Sequence, residues 1–152
     1  MKAILSHTAG GPDTLEYTNI SINEPNSDQI RICVKAAGVN FPDTLIIRDL
    51  YQIKPPRPFS PGGEVAGIIE RIGSDVKDFE IGDRVLAVPG YGGFVTHINV
   101  PAVTAVKIPK NMPFTDAACF IFTYGTSHYA LRDRAELKAG ETLLILGASG
   151  GV

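Results

Sequence analysis

The last twelve residues constrain the fold of this chain more than any other stretch. They run from Glu141 to Val152 and read E-T-L-L-I-L-G-A-S-G-G-V. The apolar run over 142–146 does not alternate with polar residues, which is typical of a strand buried on both faces of a parallel sheet. Glycines follow at 147, 150 and 151. A dinucleotide-binding βαβ unit begins with such a strand and turn, since glycine lets the backbone approach a pyrophosphate and the next helix directs its N–H groups at it. Apolar strands followed by glycine turns are also common in other folds. We therefore expect a strand over 142–146 in the front part of a larger nucleotide-dependent protein.

The composition is that of an ordinary globular protein and excludes several classes of function. A net charge of −2 leaves no electrostatic footprint for nucleic acid or an anionic membrane. The first residues do not resemble a signal peptide, and no apolar run is long enough to span a bilayer. Cys33 and Cys119 are far apart within apolar segments, so we expect buried free thiols in a reducing compartment. These features favour a cytoplasmic protein that binds neither nucleic acid nor a membrane.

Residues 1–109 carry the signals of short strands separated by turns. The segment 29–37 alternates, with Ile30 and Ile32 on one face and Arg31 and Cys33 on the other, which predicts a half-buried strand. A G-G-P-D turn over 10–13 separates the first two strands. Seven strands are predicted in all, over 2–6, 14–20, 29–37, 63–72, 83–88, 93–100 and 105–108. Short strands at close spacing predict a mainly β barrel or sandwich with short helices.

Helical signals interrupt and follow these strands. A short helix is predicted over 41–50, with Pro42 in its first turn. The segment 54–61 contains four prolines and is a stiff extended loop, which is equally compatible with the wall of a site and with a rigid connector. Two later helices are predicted over 117–122, capped by Thr115 or Asp116, and over 126–137. Both are largely apolar, so we expect them to be buried.

Several short motifs follow one another along the whole chain in a familiar order. They are G-V-N-F-P-D at 38–43, the proline loop at 50–62, G-E-V-A-G at 63–67, G-D-R-V at 82–85, G-T-S at 125–127 and A-S-G-G-V at 148–152. Together they resemble the medium-chain dehydrogenase/reductase superfamily, specifically its zinc-independent quinone oxidoreductase branch. The resemblance implies a GroES-like catalytic domain over 1–123, followed by the start of a truncated NAD(P)-binding Rossmann domain over 124–152. It also implies a homodimer at full length.

The resemblance bears directly on metal binding. Zinc-dependent members of the superfamily carry a cysteine where this chain has Asn40 and a histidine where it has Gly63. Two cysteines cannot form a Cys₄ structural zinc site. His7, His97 and His128 fall outside every metal-binding spacing in the sequence. We therefore expect no zinc site.

The absence of zinc ligands restricts the substrate. Oxidation of an alcohol needs an alkoxide, and a metal lowers the pKa of bound water from about 16 to about 7. A single hydrogen bond to a developing oxyanion supplies only about 3–4 kcal/mol. A quinone or a conjugated enone stabilises the incoming charge itself and mainly needs alignment with the hydride donor. We expect reduction of a quinone with NADPH, or NADH, as the cofactor. An enoyl or alkenal reductase and a non-catalytic binding or structural module are the alternatives.

The resemblance assigns roles to individual residues in the candidate catalytic centre. Asn40 would lie at the junction of nicotinamide and substrate, although an asparagine there can also simply close a turn. Tyr51 would line the quinone pocket, although such a residue is more often a packed loop aromatic. Asp43 and Glu64 are predicted to be structural. Leu45 stands where relatives often have tyrosine, so no substrate preference is transferred. We assign no general acid and expect solvent to protonate the product.

The resemblance also predicts the cofactor-binding residues. Ser127 stands where related proteins commonly have threonine, and its hydroxyl would contact the cofactor. The alternative is a hydrogen bond to the carbonyl four residues earlier, as is common for serine in helices. The remaining predicted contacts belong to the glycine-rich turn, and they are Ala148, Ser149, Gly150, Gly151 and Val152.

Overall fold

Two antiparallel sheets form the framework of the protein. The computed structural model describes residues 1–151, and within them there are seven strands. The strands are β1 (Lys2–Ser6), β2 (Leu15–Asn19), β3 (Gln29–Gly38), β4 (Glu64–Ile72), β5 (Arg84–Ala87), β6 (His97–Pro101) and β7 (Ala105–Lys107). The smaller sheet pairs β1 with β2, and the larger one has the order β6-β3-β4-β5-β7 without closing into a barrel. All seven strands overlap the predicted segments, which confirms the mainly β class.

The hairpin β1–β2 is attached to the segments on either side of β4. A 3₁₀ turn over Pro12–Thr14 separates the two strands, as the proline in the predicted turn allows. Single bridges join Ala3 to Val95 and Ser6 to Phe59. The small sheet therefore holds the loop before β4 and the loop before β6 in place.

The core lies on both faces of the larger sheet. Ile30 and Ile32 of β3 are fully buried and belong to one apolar cluster with Val65 of β4 and Val85 of β5. On the other face, Ala66 and other apolar residues of β4 and β5 pack against the helical segment after β7. Burial of one large aliphatic side chain contributes about 1.5–3 kcal/mol. The sheet therefore has its own apolar core within the described residues.

Strand β3 departs from the predicted half-buried pattern at Arg31. This side chain is 7% exposed rather than facing solvent. Its Nε donates to Asn99 Oδ1 at 3.1 Å, and an Nη donates to the carbonyl of Asn23 at 2.5 Å. The prediction of a polar outer face was wrong here because β6 and the segment before β3 cover the strand and supply hydrogen-bond acceptors to the guanidinium.

The helices are short, and the first one is confirmed. Helix α1 spans Phe41–Ile46 with Pro42 in its first turn. Helix α2 spans Phe114–Ala117 and begins after Pro113, so the prediction that Thr115 or Asp116 caps it was wrong. Proline fixes φ and can therefore start a helix without a capping side chain. Helix α3 (Thr126–His128) lies between two π-helical stretches, Ile121–Gly125 and Tyr129–Arg134. No helix in the described part of the chain is long and apolar enough to cross a bilayer.

The C-terminal region differs most from prediction. Residues 142–146 form no strand, and Leu144 and Leu146 are 81% and 84% exposed. A strand of a parallel sheet exists only when neighbouring strands accept its hydrogen bonds, and the described residues contain none beside it. Phe120 of the first predicted helix and Tyr129 of the second are also exposed, although burial of both helices was predicted. Cys119 is exposed and Cys33 is only half-buried, so the prediction of two buried thiols was wrong.

An ion pair at the edge formed by β7 gives a pH-dependent prediction. Lys107 Nζ lies 2.9 Å from Asp83 Oδ2, and the Glu80 amide donates to the same oxygen. These hydrogen bonds, that of Lys107 first, hold the pKa of Asp83 below its ordinary value. Because the folded-state pKa is lowered, the stabilisation is present above about pH 4 and is lost as pH falls through the folded-state value.

We expect Asp83→Asn to weaken the acid dependence of the free energy of unfolding, measured by urea titration at several pH values. The exposed Asp133→Asn is the control, and an unchanged acid dependence in Asp83→Asn would contradict the assignment.

Candidate active site

A cleft of about 110 Å³ lies between helix α1, the residues that follow it and the start of β4. It brings together Asn40 and Tyr51, the two residues predicted for the catalytic centre. Its walls are mainly apolar or aromatic, with an amide and a carboxylate among them. The lining residues are Asn40, Pro42, Asp43, Ile46, Tyr51, Ile53, Gly63, Gly90 and Phe122. An apolar cleft with a few convergent polar groups is the usual form of a small-molecule site.

Asp43 fixes helix α1 against the strand that carries the other wall. Its carboxylate is 7% exposed. One oxygen accepts a hydrogen bond from the backbone N–H of Asn40 at 2.8 Å, and the other accepts from the backbone N–H of Gly62 at 2.9 Å. The structure therefore confirms the structural role predicted for Asp43. The side chain starts the helix and joins it to the turn before β4.

Glu64 sets the orientation of the Asn40 side chain. Its carboxylate is 2% exposed and accepts from Asn40 Nδ2 at 2.9 Å through one oxygen. The other oxygen accepts from the Phe122 N–H at 3.2 Å. An ionised carboxylate can only accept hydrogen bonds, so the NH₂ group of Asn40 must face Glu64. Asn40 also begins α1, since its carbonyl accepts from the Asp43 N–H at 3.0 Å. The geometry therefore supports the alternative role of Asn40 in closing the turn before α1, whereas a contact with nicotinamide or substrate stays a prediction.

The residues at this site do not fit a catalytic zinc ion. The amide nitrogen of Asn40 donates to Glu64 and is not a metal ligand. A side chain at position 63 would place its Cβ 2.9 Å from Phe122 Cζ, so a histidine would require the aromatic ring to move. In the part of the chain that the structure describes, possible metal ligands gather at Cys33, Glu70 and His97. None of these three lines the cleft.

Tyr51 belongs both to the cleft and to a small apolar cluster. It packs against the buried residues Ile46, Ile47 and Phe59, so the alternative of a packed loop aromatic also describes it. None of the prolines of the 54–61 loop lines the cleft. Arg57 Nη1 donates to Asp49 Oδ1 at 2.8 Å, which connects this loop to the residues that follow α1. The loop is therefore a rigid connector rather than a wall of this site.

Of the predicted cofactor residues that the structure describes, Asn40 lines the cleft, whereas Ser127 and residues 148–151 lie outside it. Ser127 Oγ donates to the Thr123 carbonyl at 3.0 Å, which is the alternative expected for a helical serine. Gly147 has a φ of 70°, which favours glycine, and its carbonyl accepts from the Gly150 N–H at 2.9 Å. The segment 148–151 forms an exposed turn, and Val152 lies outside the described residues. The structure does not bring these residues to Asn40 and Tyr51.

Sequence reasoning missed Phe122 and the link between Glu64 and Asn40. The sequence predicts a structural role for Glu64 but no partner for its carboxylate. Its place within an otherwise apolar segment was the available signal, because a buried carboxylate requires hydrogen-bond donors nearby. Phe122 gave no such signal, since an aromatic residue in a helical segment is compatible with many positions.

Comparison with known proteins identifies the fold family. The model of the alcohol dehydrogenase GroES-like domain matches residues 26–110, which is more than half of the chain. The chain belongs to this family. Human quinone oxidoreductase is 37% identical over 154 aligned residues, which cover all of this chain and 47% of that protein. Quinone oxidoreductase-like protein 2 homolog of Nematostella vectensis is also 37% identical, with 99% of this chain and 41% of that protein covered. The GroES-like chain thus spans less than half the length of these relatives.

Solved structures confirm the architecture of this GroES-like chain. Quinone oxidoreductase of Pseudomonas syringae superposes with a TM-score of 0.93 at 34% identity, over 99% of this chain and 46% of that one. The CurK enoyl reductase gives 0.90 at 28% identity, over 99% and 48%. Escherichia coli quinone oxidoreductase complexed with NADPH gives 0.77 at 33% identity, over 89% and 41%. The resemblance to quinone oxidoreductases of the medium-chain superfamily is therefore confirmed.

Proposed function

We propose that this chain supplies the substrate-binding part of an oxidoreductase that transfers hydride from NADPH to a quinone without a catalytic zinc ion. The observation that carries the proposal is the hydrogen bond from Asn40 Nδ2 to Glu64 Oε1. Zinc-dependent members of the superfamily hold a metal ligand where Asn40 stands, whereas this chain holds an oriented amide there. An amide can hydrogen-bond a substrate carbonyl but cannot generate an alkoxide from an alcohol.

The division of the whole protein is part of the proposal. Residues 1–123 form the catalytic domain, and 124–152 begin a Rossmann domain that binds the cofactor. Ser127 and the turn from Ala148 to Val152 would contact the cofactor. NADPH would supply the hydride when bound. The similarity to an E. coli quinone oxidoreductase complexed with NADPH supports this choice. The whole protein is proposed to form a homodimer.

Asn40 is proposed to bind the carbonyl oxygen of the substrate. Glu64 takes one N–H of the amide, which leaves the second N–H for another partner. Asn40 lines the cleft, which is the space that a substrate would occupy. A donor held by a buried carboxylate does not need to reorient when negative charge develops on the carbonyl. Asn40 thus binds the substrate, and Glu64 acts as a positioning residue.

Tyr51 and Phe122 are proposed to hold the ring of the quinone. Both aromatic side chains line the cleft, together with the aliphatic Ile46 and Ile53. Flat aromatic and aliphatic walls favour a planar, largely apolar ring and exclude water from it. Alignment of reacting groups can contribute roughly 7–11 kcal/mol, which is the main contribution that a quinone requires. The same arrangement suits an activated carbon–carbon double bond, and the similarity to the CurK enoyl reductase favours that alternative.

The test is a substrate screen with the whole protein, including its nucleotide-binding part. NADPH oxidation is followed with a benzoquinone, with a 2-alkenal and, in the reverse direction, with a simple alcohol and NADP⁺. We expect turnover of the quinone, no oxidation of the alcohol, and unchanged rates after treatment with a chelator. Turnover of the alkenal without the quinone would replace the first proposal by the enoyl reductase. NADPH binding without any turnover would indicate a non-catalytic module. For residues 1–152 alone we expect no measurable NADPH affinity by calorimetry, and micromolar binding would contradict the proposed division.

A further inference from the structure

Three possible metal ligands meet on neighbouring strands away from the cleft. Cys33 lies on β3, Glu70 on β4 and His97 on β6, and one ligand atom from each lies within 4.8 Å of the other two. Cys33 and His97 are directly opposite in the β3–β6 register. Directly opposed residues project from the same face of an antiparallel sheet. The sequence spacing of His97 gave no sign of this group, because strand pairing joins residues that are far apart in the chain.

An irregularity in β4 brings the third ligand to the group. Ile32 pairs with Ile69, but the preceding Arg31 pairs with Arg71, so Glu70 is the extra residue of a β-bulge. Bulges redirect a side chain relative to the regular alternation of a strand. The Glu70 carboxylate lies 3.3 Å from His97 Nε2. The three side chains therefore converge from three strands through a specific local feature of the backbone.

We propose that Cys33, Glu70 and His97 bind a zinc ion with one position open to water. Thiolate, imidazole and carboxylate are all zinc ligands, with bond lengths of about 2.3, 2.0–2.1 and 2.0–2.2 Å. Three protein ligands plus water is the arrangement of an open tetrahedral site. Ligand atoms already within 4.8 Å of one another need only small side-chain movements to reach such distances. All three side chains are partly exposed and have room to make them.

The surroundings of the group suit a metal ligand set. His97 Nδ1 lies 3.0 Å from Thr96 Oγ1. A hydrogen bond from Nδ1–H to this hydroxyl leaves the lone pair of Nε2 for the ion. Lys35 Nζ donates to Cys33 Sγ at 3.2 Å. Lys35 is exposed, so its side chain can turn to solvent when a cation binds.

A simple surface ion pair is the competing explanation. His7 and Glu16 form such a pair at 3.2 Å beside the small sheet, and an exposed pair contributes little to stability. The Glu70–His97 pair differs because the Cys33 thiol lies beside it and a β-bulge redirects the Glu70 side chain. The His7–Glu16 pair therefore provides an internal control. A zinc ion at the proposed site would join β6, an edge strand of the larger sheet, to β3 and β4.

The experiment is a calorimetric titration of the reduced, metal-free chain with Zn²⁺, repeated with Co²⁺ to detect thiolate-to-metal charge-transfer absorption. We expect one ion per chain. Loss of the Thr96 hydroxyl in Thr96→Val, a change in an outer-shell partner, should weaken zinc binding by roughly 10–100-fold. Loss of a ligand, in Cys33→Ser or in His97→Gln, should weaken it by more than that. Cys119→Ser and His7→Gln should leave binding unchanged. Zinc at about 100 times Kd should raise the melting temperature by roughly 5–10 °C.

Circular dichroism of each variant verifies that it is folded. Absence of binding in the unmodified chain, or equal binding in Cys33→Ser, would overturn the proposal. Loss of the charge-transfer band in Cys119→Ser would show that Cys119, and not Cys33, supplies the thiolate ligand, and would also overturn the proposal. The site is independent of the proposed reaction, because none of its ligands lines the cleft. Quinone turnover by the whole protein should therefore be the same in Cys33→Ser and in the unmodified protein.

Discussion

Replacement of Gly67 by alanine is expected to lower the free energy of unfolding by about 3 kcal/mol, the upper end of the usual cost of overpacking. Gly67 lies in β4, paired with Val34 of β3 in the centre of the larger sheet. A Cβ at this position would overlap the backbone carbonyl of Cys33 and lie 2.7 Å from Ile32 Cγ2. A backbone atom of a paired strand cannot move without breaking the pairing. For a chain of this size, the expected loss lowers the melting temperature by roughly 6–12 °C.

Thermal and urea unfolding of the chain provide the measurement. Gly125→Ala is the matched control, because its Cβ would meet nothing closer than Ile121 Cγ2 at 3.5 Å and the residue is helical. Alanine is favoured over glycine in helices by about 1 kcal/mol. We therefore expect the control to be neutral or slightly stabilising. Equal stability of the two variants would show that β3 and β4 are not packed as described.

The second large effect is expected in catalysis by the whole protein. Asn40→Ala should lower kcat/KM for the quinone by about 10²–10³, as removal of one preorganised donor to an oxyanion does. Glu64→Gln should also lower it. A glutamine amide presents a donor to either Asn40 Nδ2 or the Phe122 N–H, both of which are donors themselves. The amide of Asn40 would then lose its fixed orientation.

A double-mutant cycle separates a positioning role from a general structural one. If Glu64 acts through Asn40, Glu64→Gln should have little further effect on kcat/KM once Asn40 is alanine. NADPH affinity and the melting temperature are measured for each variant to detect damage elsewhere. Multiplicative effects of the two substitutions on kcat/KM would contradict the proposed role of Glu64.

The strands were predictable because their signals are local. Alternation over 29–37 and the turn residues between strands depend on near neighbours in the sequence, and α1 follows from Pro42 after Asn40. The failures concern features that depend on distant partners. Arg31 is buried because Asn23 and Asn99 supply acceptors, and 142–146 forms no strand because the described residues offer it no neighbour.

The candidate active site was also predictable in part, because sequence motifs are local signals. Motif resemblance identified Asn40 and Tyr51, and both line the cleft. The contact between Glu64 and Asn40 depends on how α1 meets β4, which no spacing in the sequence encodes. The Cys33–Glu70–His97 group depends in addition on a bulge and on the pairing of β6 with β3. Sequence reasoning can find a ligand set within one segment, but not one assembled across three strands.

The pairing of β6 with β3 has a consequence for folding kinetics. Its register joins Gln29 to Pro101 and Cys33 to His97, which are more than 60 positions apart. The entropic cost of closing a loop rises with its length, and folding slows as contacts become less local. Strands β4 and β5 close a much shorter loop. We therefore expect β4 and β5 to pair before β6 attaches to β3.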